Sequence, residues 1–179
     1  MLFVLLRELG RVYLRASDSF QRDGIDIGEQ LPQLGLTLPS GDVVTLSSLL
    51  RSKYVVLISA TTGCSICHDV VGFAHRWSDR SDEISTVVLL NDEYFDGFEH
   101  ANGAIIARAD PADIRSSLLI RVSPFVYIAT ASGRVLAKGL VNNNNQLKRL
   151  LRHARGEFGR LDSEGSRAED EVPDLVAAS

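Results

Sequence analysis

The chain has 179 residues, of which 45% are hydrophobic and 23% charged. That is apolar enough for one buried core and excludes a wholly disordered chain. No apolar run approaches the ~20 residues a membrane-spanning helix needs. A formal net charge of −4 argues against a nucleic-acid partner. Two cysteines in a chain of this size are not needed as disulfide staples.

Residues 1–15, MLFVLLRELGRVYLR, open with six apolar residues and continue at helical spacing through Leu9, Val12 and Tyr13. An N-terminal helix is expected. Residues 1–14 have three open roles: a helix docked on the body, a helix lying in a membrane interface, or the stub of a longer anchor. The docked helix is favoured by the short apolar face. Residues 16–27 are polar and read as a linker.

Residues 28–155 read as one domain. GLTLPSGDVVTL (residues 35–46) predicts a β-hairpin turning at Pro39-Ser40-Gly41-Asp42, followed by a short connector. YVVLISA (residues 54–60) is a continuous β-branched and apolar run, which fits a strand buried on both faces. Thr61-Thr62-Gly63 breaks it. From Cys64, Ile66, Val70, Phe73, Ala74 and Trp77 recur at helical spacing, with Phe73 and Trp77 facing the core. ISTVVLL (residues 84–90) is a second buried strand. Residues 91–102 form a short helix or loop, in which Asp92 and Glu93 read as loop residues. A short strand at 104–108 leads to a helix over 110–120, with Asp110 as cap and Pro111 in the first turn. Residues 125–129 and 134–140 predict a hairpin turning at Ser132-Gly133. The run NNNN caps a closing helix, with Leu147, Leu150 and Leu151 inward. Residues 156–179 read as a disordered tail. Seven acids and two bases lie between Glu157 and Asp174, so the acidity belongs to the tail and the body is near neutral. The order predicts an α/β fold with a central mixed sheet and helices on both faces.

The chemistry is expected at Cys64-Ser65-Ile66-Cys67-His68. Cys64 follows a buried strand and opens a helix, where free backbone N–H groups and the helix dipole favour a thiolate. Cys67 comes one turn later and deeper, within disulfide reach. Such a pair accepts and returns two electrons: Cys64 attacks and Cys67 resolves. His68 lies four residues after Cys64, where it modulates the thiol or simply faces solvent. Ser123-Pro124 enters an apolar strand and is a candidate cis bond.

YVVLISATTGCSICHDVV followed by VSPFVYIATASGRVLAKGLVN resembles the thioredoxin superfamily. Within it the chain is most similar to the extracytoplasmic TlpA/ResA-type redoxins and the MauD-like methylamine dehydrogenase maturation proteins. Gly41-Asp42-Val43-Val44-Thr45-Leu46, the closing AKGLVN (residues 137–142) and extra residues at 91–108 fit that subgroup. The resemblance implies a thioredoxin-like fold over about residues 28–155 and a thiol–disulfide oxidoreductase acting on protein dithiols or disulfides. It implies no organic cofactor and no metal. It makes Cys64 the nucleophile and Cys67 the resolving thiol. Pro124 becomes a cis-proline facing the disulfide, with Ser123 and Gly63 on the substrate side. Many relatives are membrane-tethered and face outward; a cytoplasmic protein is the alternative. Three departures from thioredoxin stand out: Gly63 replaces the usual Trp, no acid occurs near Val55 and Val56, and Ser65-Ile66 replaces Gly-Pro. Redox direction therefore does not carry over.

Rival readings use the same residues. Cys-x-x-Cys-His is also the c-type haem motif. Cys64, Cys67 and His68 would hold a metal if His75, His100 or His153 converged on them. Thr61-Thr62-Gly63-Cys64 is similar to the T-x-x-C of peroxiredoxins, and an exposed low-pKa thiol is oxidised by peroxide. Finally, two cysteines in a helix can simply pack.

Overall fold

The computed structural model describes residues 23–92, 95, 97–98 and 103–169. The expected N-terminal helix and Glu93 lie outside them. The short hairpin is β1 (Gly35–Thr37) and β2 (Val43–Thr45), followed by a one-turn helix, α1 (Leu46–Leu49). Then come β3 (Tyr54–Ala60), α2 (Ser65–Ser78), β4 (Ile84–Leu90), β5 (Ile105–Arg108) and α3 (Pro111–Ser116). A second hairpin, β6 (Phe125–Ala129) and β7 (Val135–Leu140), leads to α4 (Asn144–Glu169).

The strands form one sheet in the order β2-β1-β5-β4-β3-β6-β7. The β3–β4 and β4–β5 pairs are parallel, and every other pair is antiparallel, so the sheet is mixed. All seven residues of β3 are buried, which is why its sequence runs apolar without alternation. Val56, Ile58 and Ala60 face a core shared with Val70, Val71 and Ala74 of α2 and Leu147 and Leu151 of α4. Val55 and Leu57 face the other core, closed by Leu46 and Leu49 of α1 and by Ile114 and Leu118 around α3. Helices therefore cover both faces. Phe73 and Trp77 pack against the first core but are only half-buried.

Three expectations need correction. The described end of the supposed linker is part of the body. The Gly24 amide donates to the Leu119 carbonyl at 2.9 Å, and the Lys138 ammonium donates to the Gly24 carbonyl at 2.8 Å. Gly28, Leu31 and Val135 continue this backbone bonding, which covers the outer edge of β7. Polar composition had concealed an edge cover whose affinity lies in its main chain. Second, α4 runs to Glu169 and takes up residues read as disordered tail. Leu, Arg and Glu between the glycines are good helix formers, and a helix already nucleated on the core extends through them at little cost. Residues 170–179 lie outside the described residues. Third, α3 stops at Ser116, with Leu119 in the left-handed region at φ 56°. The asparagine run does cap α4: Asn143 Oδ1 accepts the Gln146 amide at 3.0 Å.

Tyr127 ties the edge segment to the sheet. Its hydroxyl donates to the Leu118 carbonyl at 2.6 Å and accepts the Ile25 amide at 2.7 Å. Burial pushes its ionisation up from 10.0 to about 12; the Ile25 amide opposes this, and Asp23 and Asp26 add to it. An unfolded phenol thus loses its proton before the folded one does. The Tyr127 contribution is complete below pH 10 and is expected to fade as pH rises to about 12. Denaturant titrations across that range should show the decline, and Tyr127→Phe should remove this component.

Candidate functional site

The C-terminal end of β3 delivers the site. After Ala60 the 61–63 turn crosses to α2, whose N-cap is Cys64 in an extended conformation at φ −100°, ψ 102°. The Cys64 sulfur accepts the Cys67 amide at 3.1 Å, as a capping side chain does. The Cys64 carbonyl accepts the Cys67 and His68 amides at 3.0 and 3.3 Å. The α-carbons of Cys64 and Cys67 stand 5.2 Å apart and their sulfurs are joined in a disulfide. Cys67 is fully buried, packed with Val70 and Val71, whereas Cys64 is half-buried. An incoming group therefore meets Cys64 first. A thiolate released there lies at the positive end of a 14-residue helix, an interaction worth ~0.3–2 kcal/mol.

Gly63 beside it is exposed, with nothing within 4 Å of where a Cβ would stand. Ile66, inside the motif, is 43% exposed. The second loop predicted for the site lies at the same end of the sheet. Antiparallel pairing sets Ser59 opposite Phe125, so one step further Pro124 falls abreast of Ala60. The Ser123-Pro124 bond is cis. Pro124 is buried, Ser123 is half-buried and Val122 is 38% exposed. The Pro124 carbonyl accepts the Val141 amide at 3.2 Å, anchoring this loop to the end of β7.

His68 does not simply face solvent. It is half-buried, and its Nε2 donates to the Thr62 carbonyl at 2.9 Å, the tautomer following from a partner that only accepts. Its ring stacks on Phe98 with centroids 4.3 Å apart and planes 14° from parallel. Asp92 is also more than a loop residue: one oxygen, Oδ2, accepts both the Thr62 amide and, at 3.0 Å, the Thr62 hydroxyl. Hydrogen bonds to a charged acceptor contribute ~1.5–3 kcal/mol each. The missed pairing had a signal. Parallel strands β3 and β4 end level, Ala60 against Leu90, so the residues two beyond each end, Thr62 and Asp92, come abreast. Phe98 had no signal, since it arrives through a loop.

Among the described residues, no three His, Cys, Asp or Glu side chains converge as metal ligands. His68, needed by the haem and metal readings, has its Nε2 bound to Thr62. A cavity of about 370 Å³ opens among Trp77, Ile84 and Leu151, rimmed by Arg80, Lys148, Arg152 and Arg155. It lies at the far end of α2, ~20 Å along the helix from Cys64. Among the described residues, no helix is long and apolar enough to cross a membrane.

A central mixed sheet with a Cys-x-x-Cys helix following β3, an inner strand, is the thioredoxin-like fold. Solved structures agree. A candidate thiol:disulfide interchange protein DsbE from Chlorobium tepidum superposes with TM-score 0.63 at 16% identity, covering 74% of this chain and 98% of that one. A domain of a candidate thiol-disulfide isomerase from Cytophaga hutchinsonii gives 0.61 at 17%, covering 76% and 98%. The thioredoxin domain of a thiol-disulfide oxidoreductase from Bacteroides vulgatus gives 0.57 at 17%, covering 70% and 97%. No protein-family model matches the chain, and no curated protein matches it. At these identities the likeness establishes the fold.

Proposed function

We propose that the protein is a thiol–disulfide oxidoreductase that exchanges disulfides with protein partners through Cys64 and Cys67. One observation carries the reading: a half-buried sulfur at a helix N-cap is joined to a buried sulfur one turn behind it. The names of the structural neighbours agree with it. In the reducing direction, the Cys64 thiolate attacks one sulfur of a partner disulfide and expels the other as a thiolate, leaving a mixed disulfide. The Cys67 thiolate then attacks the Cys64 sulfur. The partner leaves as a dithiol after taking up two protons, and Cys64–Cys67 is left oxidised. Two electrons have passed to the partner. The oxidising direction is the same sequence reversed.

A protein is the fitting partner, because the Cys64 surface is an open rim with an exposed glycine and an exposed Ile66. Main-chain groups at Gly63 and Ser123 would hold an extended segment across it, with Pro124 beneath. MauD-like or TlpA/ResA-type kinship, and an outward-facing tether through residues 1–14, belong to the same proposal and rest on the sequence resemblance. Reduced protein mixed with insulin is expected to pass two electrons per chain, giving two new insulin thiols for each Cys64–Cys67 disulfide formed. No transfer to insulin, combined with no oxidation of a reduced protein dithiol by the Cys64–Cys67 disulfide, would overturn the reading.

A further inference from the structure

We infer that Asp92 and His68 are positioning residues for the redox pair: together they clamp Thr62 and thereby hold the 61–63 turn that presents Cys64 to the helix N-terminus. The inference rests on Cys64 being the attacking thiol. Thr62 has three polar groups, and two side chains from different elements take all of them. Asp92, just beyond β4, accepts the amide and the hydroxyl through one oxygen. His68, on α2, donates to the carbonyl. In sequence the clamp brackets the cysteine, two residues before it and four after.

The clamp is itself held. The stretch after β4 supplies Asp92, Gly97 and Phe98. Phe98 is 3% exposed and stacks on the imidazole. Gly97, at φ +93°, packs so closely that a Cβ would stand 3.1 Å from His68 Cε1. Stacked on Phe98, closely approached by Gly97 and bonded to the Thr62 carbonyl, the ring is held on the Thr62 side. The amide groups at the start of α2 accordingly meet Cys64 in a preset arrangement rather than one assembled during each exchange.

Asp92 has a second, opposing effect. Its negative charge, close to the turn, disfavours a thiolate at Cys64, whereas its hydrogen bonds favour one by holding the turn in place. The conservative variant separates the two, since Asp92→Asn removes the charge and keeps an acceptor oxygen. The readout is the rate at which iodoacetamide alkylates Cys64 in full-length Cys67→Ser protein, followed across pH, with the reduction potential measured in chains keeping both cysteines. Asp92→Ala and His68→Phe are each expected to slow alkylation about tenfold and shift the potential. Asp92→Asn and His68→Gln, which retain an acceptor and a donor, should recover most of the rate. Faster alkylation in both Asp92 variants would assign its role to charge and overturn the inference. Unchanged rates and potentials in Asp92→Ala and His68→Phe would overturn it as well. If Asp92→Ala fails to fold, the His68 pair decides. Alkylation needs no partner protein, so failure of the insulin assay counts against the proposed function and leaves this test standing.

Discussion

Cys67→Ser protein mixed with a disulfide-bearing protein is expected to accumulate a stable covalent adduct through Cys64, whereas Cys64→Ser protein forms none. The asymmetry follows from burial. Cys64 is half-buried at the helix N-cap, and Cys67 is fully buried behind it. A partner sulfur can approach only the first, and only the second stands within bonding distance of the resulting mixed disulfide. Removing Cys64 removes the nucleophile, and exchange should fall at least ~10³-fold. Removing Cys67 leaves attack intact and abolishes resolution, so the adduct persists until an outside thiol cleaves it. Non-reducing gels followed by mass spectrometry read both outcomes. Adducts formed by the Cys64→Ser variant and none by the Cys67→Ser variant would reverse the two roles.

The largest loss of stability from a single small substitution is expected at Gly24. Its φ is +84°, where a side chain is strained, and an added Cβ would stand 2.6 Å from Tyr127 Oη and 2.8 Å from Phe125 Cζ. Neither ring can yield. Phe125 and Tyr127 are 1% and 0% exposed, and Tyr127 is held by bonds to Leu118 and Ile25. Left-handed backbone costs an ordinary residue ~1–2 kcal/mol, and overpacking ~1–3 kcal/mol. Gly24→Ala should therefore destabilise by ~2–5 kcal/mol, read as a lower denaturation midpoint. Phe125 directly follows Pro124, so slower disulfide exchange should accompany the loss. A midpoint equal to wild type would show that residues 23–31 do not seal the sheet edge.

The parts of the molecule legible in the sequence are those where a local pattern and the tertiary setting agree. β3, β4 and β6 match their predicted bounds because strands buried on both faces are written as unbroken β-branched and apolar runs. The Cys64–Cys67 pairing was legible because four residues of one helical turn contain it. The segment at 23–31 was not, because beyond Ile25 and Leu31 it docks through main-chain amides and carbonyls that any sequence carries. The bond from His68 to Thr62 was illegible for a related reason. Its i, i+4 relation to Cys64 is visible along the chain, but Phe98 and Gly97, which turn the ring toward Thr62, come from a loop beyond the next strand. The extension of α4 was hidden by glycines and acids, which weigh against a helix only when it must nucleate alone.

The unequal pairing of the sheet separates regions that breathe from regions that do not. β3 is bonded along its length on both sides, to β4 over seven residues and to β6 over five. The hairpin of β1 and β2 meets β5 through one aligned pair, Thr37 with Arg108. Fraying is therefore expected at that outer hairpin before it reaches β3, whose opening means losing the whole molecule. The sulfur pair follows closely on the strand expected to give way last, so the proposed exchange would not depend on the outer hairpin staying paired.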